Sequence, residues 1–211
     1  MEELAPEAVR VLGCLVEKQH TTPDQYPLTM NALVTACNQA TNRFPVVGYD
    51  VPTVEAAVGL LREQKLVRVL LAAGRQATKY RHVMDEALGL MPSECAVLAV
   101  LFLRGPQTVN ELRTRTERYQ GMDELGGVEP TLERLATRYD EPFVVRLGRQ
   151  TGQREERWAH LFGGEIDAAT PMAPPPSRTN SIDQLRAEVA ELRAEVDELR
   201  RRLEGGAGAA E

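Results

Sequence analysis

Apolar residues recur along the chain at two spacings, and the switch from one to the other happens twice. Val9, Leu12 and Val16 follow the 3.6-residue period of a helix with one buried face, and Val97, Val100 and Leu101 follow it again further on. A second helix is predicted after each, with Thr29 or Thr108 able to cap it and Leu33 or Leu112 on its apolar side. A third opens at PTVEAAVGLLRE, where Pro52 suits the first turn and Val54, Val58 and Leu61 share a face; its counterpart opens at Pro130 with PTLERLATRY. The pattern then shortens to strand length. LVRVLLA and ATKYRHV flank AGRQ with Gly74 at the turn, and FVVRLG and REERWAHLF flank RQTGQ with Gly152.

These parallels extend to residue identity. LAPEAVRVLGCL at 4–15 matches LMPSECAVLAVL at 90–101, and TMNAL at 29–33 matches TVNEL at 108–112. Pro52, Thr53, Glu55, Glu63, Val67, Arg68, Gly74 and His82 then recur in order as Pro130, Thr131, Glu133, Glu141, Val145, Arg146, Gly152 and His160. Three helices followed by a hairpin, twice over, is the order of a tandem winged helix, a helix-turn-helix fold whose third helix is expected in the DNA major groove. The predicted fold class is mainly α with small β-hairpins (α+β), with winged-helix domains at 1–85 and 86–165.

Periodicity changes again after residue 165. The segment IDAATPMAPPPSRTN reads as a stiff linker over 166–180. From 181 to 204, Ile182, Leu185, Val189, Leu192, Val196, Leu199 and Leu203 are spaced alternately by three and four, the seam of a C-terminal coiled-coil helix, and 205–211 reads as a flexible tail. β-Branched residues alternating with Leu favour a parallel two-stranded coil, as do Glu188 facing Arg193 and Glu195 facing Arg200 of a partner. The expectation is a homodimer.

The stretches VEKQHTTPDQYPLTMNALVTACNQATNR at 16–43, PFVVRL at 142–147 and HLFGGE at 160–165 closely resemble the YceH family of bacterial proteins, over about residues 4–165. The resemblance implies tandem winged helices and no established biochemical activity.

Charge changes the functional picture. The net is −6, distributed as 0 over residues 1–85, −3 over 86–165 and −3 over 166–211, so neither repeat has the basic surplus that usually drives nonspecific phosphate binding. Positive charge gathers in the hairpins, however: Arg68, Arg75, Lys79 and Arg81 in the first, and Arg146, Arg149, Arg154 and Arg157 against Glu155 and Glu156 in the second. The third helix of the first repeat offers Glu55, Ala56, Gly59, Arg62 and Glu63 opposite its apolar face, a poor set for reading bases. Its counterpart offers Thr131, Glu133, Arg134, Thr137 and Arg138, flanked by Glu129, Asp140 and Glu141. Nucleic-acid contact is therefore expected mainly through the hairpins, with Arg134 and Arg138 added. Two other readings stay open: hairpin charge guards strand edges against aggregation, and the third helices face the core or a protein partner.

The first repeat has seven extra residues within HTTPDQYP, which with NQATNR gather Gln25, Tyr26, Asn38, Asn42 and Arg43 into a candidate polar patch. Caps and turns explain the same residues. Cys14, Cys37 and Cys95 sit singly in apolar patterns and read as buried thiols. His20, His82 and His160 have no accompanying acid cluster, nucleophile elbow or phosphate loop; His82 and His160 hold equivalent places, which predicts a repeated structural hydrogen bond. No enzyme, cofactor or metal is expected. The N-terminus lacks a signal-peptide pattern and the run VLAVLFL at 97–103 is too short to span a bilayer, so a cytoplasmic protein without membrane contact is expected. The function expected is a DNA-associated or regulatory protein, with a protein-interaction scaffold as the alternative.

Overall fold

The computed structural model describes residues 2–71, 77–119, 127–139, 141–149 and 155–164, together with Ile166 and Val189. The chain divides into two compact units, Met1–Ala173 and Pro174–Glu211, and the first holds all the strands described. The class is α+β: among the described residues there are seven α-helices and two small antiparallel sheets.

In the first repeat, α1 (Pro6–Thr21) begins with a proline in its first turn. A 3-10 turn (Pro23–Gln25) and the short strand β1 (Leu28–Thr29) lead into α2 (Met30–Cys37), capped by Thr29, whose Oγ1 accepts from the Ala32 N–H. The helix α3 (Val51–Glu63) is capped by Asp50, through the Thr53 N–H at 3.0 Å. The hairpin β2 (Val67–Leu70) and β3 (Lys79–His82) pairs Val67 with His82 and Leu70 with Lys79, and β1 adds to the outer side of β3, giving the order β1-β3-β2. A five-residue helix, α4 (Met84–Leu88), connects to the second repeat and ends at Gly89, whose φ of 63° is the left-handed conformation that glycine adopts without steric cost.

The second repeat runs α5 (Pro92–Arg104), α6 (Val109–Thr116), α7 (Val128–Ala136), β4 (Val144–Leu147) and β5 (Arg157–His160). Thr108 caps α6 in a reciprocal arrangement: its hydroxyl accepts from the Glu111 N–H while the Glu111 carboxylate accepts from the Thr108 N–H. Where the first repeat has β1, the second has a single bridge between Gln107 and Trp158.

Both opening helices are buried all round. Every residue from Ala8 to Glu17 and from Ser93 to Leu103 is buried, because α1 packs on α2 and α3 on one side and α5 on the other, while α5 packs likewise on α6 and α7. The closest approach is at Gly13, where a Cβ would stand 2.9 Å from Phe102 Cβ and 3.0 Å from the Leu103 side chain. One continuous apolar core therefore runs from Leu4 to Phe162 through both repeats. Backbone bonds seal it: the Leu4 N–H donates to the Phe162 carbonyl at 2.7 Å, and the Phe44 N–H to Leu103 at 2.8 Å.

The coiled-coil seam lies outside the described residues except for Val189, which is helical and exposed. Among the described residues no helix is long and apolar enough to cross a membrane.

Candidate functional site

Four of the six hairpin cations among the described residues are occupied by acids of the same chain. Glu86, in α4, takes both Arg68 at 3.2 Å and Arg81 at 3.0 Å. Arg146 pairs with Glu156 at 2.5 Å and lies over the Trp158 ring. Arg157 is mostly buried and forks onto Glu111 at 2.7 and 3.2 Å, with a further bond to the Pro106 carbonyl. Lys79 and Arg149 are exposed and have no partner among the described residues. Arg75 and Arg154 lie outside those residues, as do Gly74 and Gly152.

The third helices present little that reads a base. On α7, Thr131 is buried, with its Oγ1 donating to the Gly127 carbonyl, which corrects its expected outward placement; a hydroxyl one turn from the helix start satisfies the backbone instead. Arg134 turns onto Glu94 at 3.4 Å and the Thr131 hydroxyl, while Arg138 donates to the Leu88 carbonyl at 2.8 Å and covers the Phe143 ring. On α3 the outward surface is Val51, Pro52, Glu55, Ala56, Leu60, Arg62 and Glu63, with Leu60 46% exposed. Gly59 stands among them with open space where a Cβ would go. Between this helix and β2 lies an open groove of about 520 Å³ lined by Gly59, Arg62, Glu63, Val67, Arg68 and Val69. Among the described residues β2 has a sheet neighbour on one side only, and Leu70 and Leu71 beyond the groove are exposed, Leu71 at 85%.

The candidate polar patch resolves into structural roles. The Tyr26 hydroxyl accepts from the His82 N–H at 2.8 Å, tying the extra segment of the first repeat to its sheet, and burial raises the phenol pKa. Asn38 exchanges two 2.8 Å bonds with the backbone of Tyr49 and so fixes the loop before α3. Gln25 is exposed in the 3-10 turn. Arg43 is buried, and every N–H it has is used: the Glu17 carboxylate at 2.6 and 3.2 Å, the Ala36 and Asn42 carbonyls, and the Gln39 side chain. Arg118, from α6's end, also reaches Glu17 at 2.5 Å. Burial opposes ionisation of Glu17, but the charge and hydrogen bonds of Arg43, with Arg118 behind them, outweigh it and hold the carboxyl below the usual carboxylate range. Asn42, at a left-handed φ of 57°, offers its Oδ1 to Arg104.

His82 and His160 do not make the repeated side-chain hydrogen bond expected of them. His82 has no bonded ring nitrogen and lies 3.7 Å from Asp85, while His160 Nδ1 is unbonded and the ring packs against Phe102 and Phe162. What repeats is burial, which pushes both imidazoles down to about 4. The three cysteines are free and buried, and no cluster of three His, Cys, Asp or Glu suited to a metal occurs among the described residues.

Residues 4–153 match the family described as "Protein of unknown function, DUF480". A UPF0502 protein of Pelobacter propionicus is 55% identical over 157 residues, 74% of this chain and 71% of the relative. One from Opitutus terrae is 47% identical over 185 residues, 86% and 80% of the two chains. The UPF0502 protein YceH of Escherichia fergusonii is 43% identical over 198 residues, 90% and 92%.

Proposed function

The chain belongs to the DUF480 family, and from that premise and the surfaces above we propose that it is a tandem winged-helix interaction module that docks an extended segment of a partner protein between α3 and the one-sided edge of β2. The observation that carries this reading is the outward surface of α3. It presents Val51, Pro52, Glu55, Ala56, Leu60, Arg62 and Glu63, with Gly59 among them, so one arginine stands where a base-reading helix needs several of Arg, Lys, Asn or Gln. A glycine in a helix interior costs about 1 kcal/mol relative to alanine, and nothing among the described residues occupies the space it leaves. An added strand uses backbone groups for affinity and alternate side chains for selectivity, and here apolar residues would meet Val69 while an acid would meet Arg62. The heptads at 182–203 belong to the same proposal: a parallel coil would present two such grooves.

The test is selection of linear peptides from a displayed library against the full chain. Peptides that bind wild type and lose about ten-fold in affinity with Gly59→Leu or Leu60→Arg support docking in the groove. Selected binders indifferent to both substitutions overturn it. Truncation after Glu165, read by sedimentation, tests the coil: an unchanged oligomeric mass removes it from the proposal.

A second reading is favoured by Lys79 and Arg149, the exposed hairpin cations without partners among the described residues. Nucleic-acid contact through the hairpins predicts salt-dependent binding of a random-sequence duplex in fluorescence anisotropy, with a shallower salt slope once Arg68, Arg75, Lys79 and Arg81 are replaced by Ala.

A further inference from the structure

Among the described residues, charge does not balance where the two repeats meet. Glu17 is shared by Arg43 and Arg118, and Glu111 by Arg157 and, at 3.9 Å, Arg115. Arg104, at the end of α5, has only the Asn42 side chain: no carboxylate lies within ion-pair distance of it among the described residues. These groups form one connected chain. Arg104 holds Asn42, whose carbonyl holds Arg43; Arg43 holds Glu17, and Glu17 holds Arg118. Along that chain three guanidiniums face one carboxylate.

Such a surplus is ordinary on a wet surface and costly in a partly buried seam. Burial, followed by repulsion from Arg115 and Arg118, pushes Arg104 down to about 10. Two further polar atoms here are buried without hydrogen bonds, Arg115 Nη1 and the Tyr119 hydroxyl, and Tyr119 packs between His20 and Arg118. Arg118 is 39% exposed along its side chain, so the seam opens to solvent at that residue. Guanidiniums linked through Asn42 and Glu17, in cationic surplus among the described residues and with an unbonded Nη1 on Arg115, suit a multiply charged oxyanion.

We propose that the seam between the repeats binds a phosphate-class oxyanion through Arg104, Arg118 and Arg115. The anion supplies the negative charge that Glu17 and Glu111 leave short, and it holds the end of α5 to α6. The chemistry is shared by a free polyphosphorylated metabolite and by a nucleic-acid backbone.

The test is calorimetric titration of the full chain with inorganic pyrophosphate at constant ionic strength, in wild type, Arg104→Gln and Arg118→Gln, beside Lys79→Gln as a hairpin control. Binding by wild type and the control, weakened about ten-fold or more in both seam variants, is the expected result. Thermal unfolding of each variant without ligand checks that it is folded. Arg104→Lys, which keeps the charge but loses the fork, is expected to bind with intermediate affinity. Absence of binding by wild type, or equal binding by folded Arg104→Gln, overturns the proposal. A labelled duplex added as competitor separates the sources: displacement of pyrophosphate assigns the seam to a nucleic-acid backbone, and no displacement assigns it to a free phosphate compound.

Discussion

The opening helices of the two repeats align residue for residue, yet they bury different chemistry. Along α1 the face turned to α2 and the following loop carries Arg10, Cys14 and Glu17, all buried; the aligned positions of α5 are Ala96, Val100 and Leu103. Arg10 donates to the Pro45 carbonyl at 2.6 Å, and Glu17 receives Arg43. The first repeat thus anchors a long loop, residues 38–50, with buried charge, whereas the second closes the same side with hydrocarbon. One architecture accepts both because each stripe is complete in itself: every donor of Arg43 is used, and a purely apolar stripe has none to satisfy.

Breaking the charged stripe should have the largest effect. Glu17→Gln leaves Arg43 buried without its counter-ion, and a loss of about 3–5 kcal/mol is expected in denaturant unfolding. Glu17→Leu combined with Arg43→Met imitates the second repeat and is expected to recover most of that loss. Next comes the contact that both helices share. Gly13→Val forces a side chain against Phe102 and Leu103 and should cost about 2–3 kcal/mol, with both repeats melting in one lowered transition.

The paired histidines give a pH test. Each is held near 4 in the folded chain against 6.5 as the unperturbed value, so the unfolded chain takes up a proton that the folded chain refuses. The histidine contribution is absent above pH 6.5, lowers stability as pH drops from 6.5 towards 4, and levels off below. The loss by pH 5 is about 2 kcal/mol per histidine, and His82→Gln or His160→Gln should each flatten roughly half of the slope in urea titrations.

Smaller effects separate the two capped helices. Thr29→Ala and Thr108→Ala should each cost about 1 kcal/mol, and Thr108→Ala should be the larger because it also dismantles the reciprocal bond with Glu111. Smallest is Gly59→Ala, expected to stabilise by roughly 0.5–1 kcal/mol in thermal melts while narrowing the α3 groove. Peptides selected as above should bind this variant less well, which would set stability against docking at one position.

Much of the fold was legible because local rules decide it. The duplication, the order of helices and strands, the caps at Thr29 and Thr108, and the buried faces marked by Val54, Val58 and Leu61 follow from spacing and capping chemistry. The strand β1 and the helix α4 were not, since a two-residue strand and a five-residue helix leave too short a pattern. The sites were less legible still. Counting charge within residues 66–82 leaves out Glu86, which lies just beyond that window and neutralises two hairpin arginines; Glu111, the partner of Arg157, is 46 positions away. Arg43 shows the same limit. Its polar neighbours Asn38 and Asn42 suggest a binding patch, but its carboxylate partner sits 26 residues back on a helix whose spacing marks one apolar face. An acid directly after the apolar run 11–16, as Glu17 is, was the available signal for a buried cation.

The tight crossing of α1 and α5 at Gly13 also bears on how the protein is made. A ribosome releases α1 first and reaches the aligned part of α5 some 86 residues later, an interval of roughly 4–17 seconds at about 5–20 residues per second. By the end of that interval the three helices and sheet of the first repeat have been synthesised, but α1 still lacks the covering that α5 gives it in the finished chain. Nascent chains stalled before Pro92 should therefore be held by chaperones or cut by proteases, and those that have extruded Arg104 should be released from both.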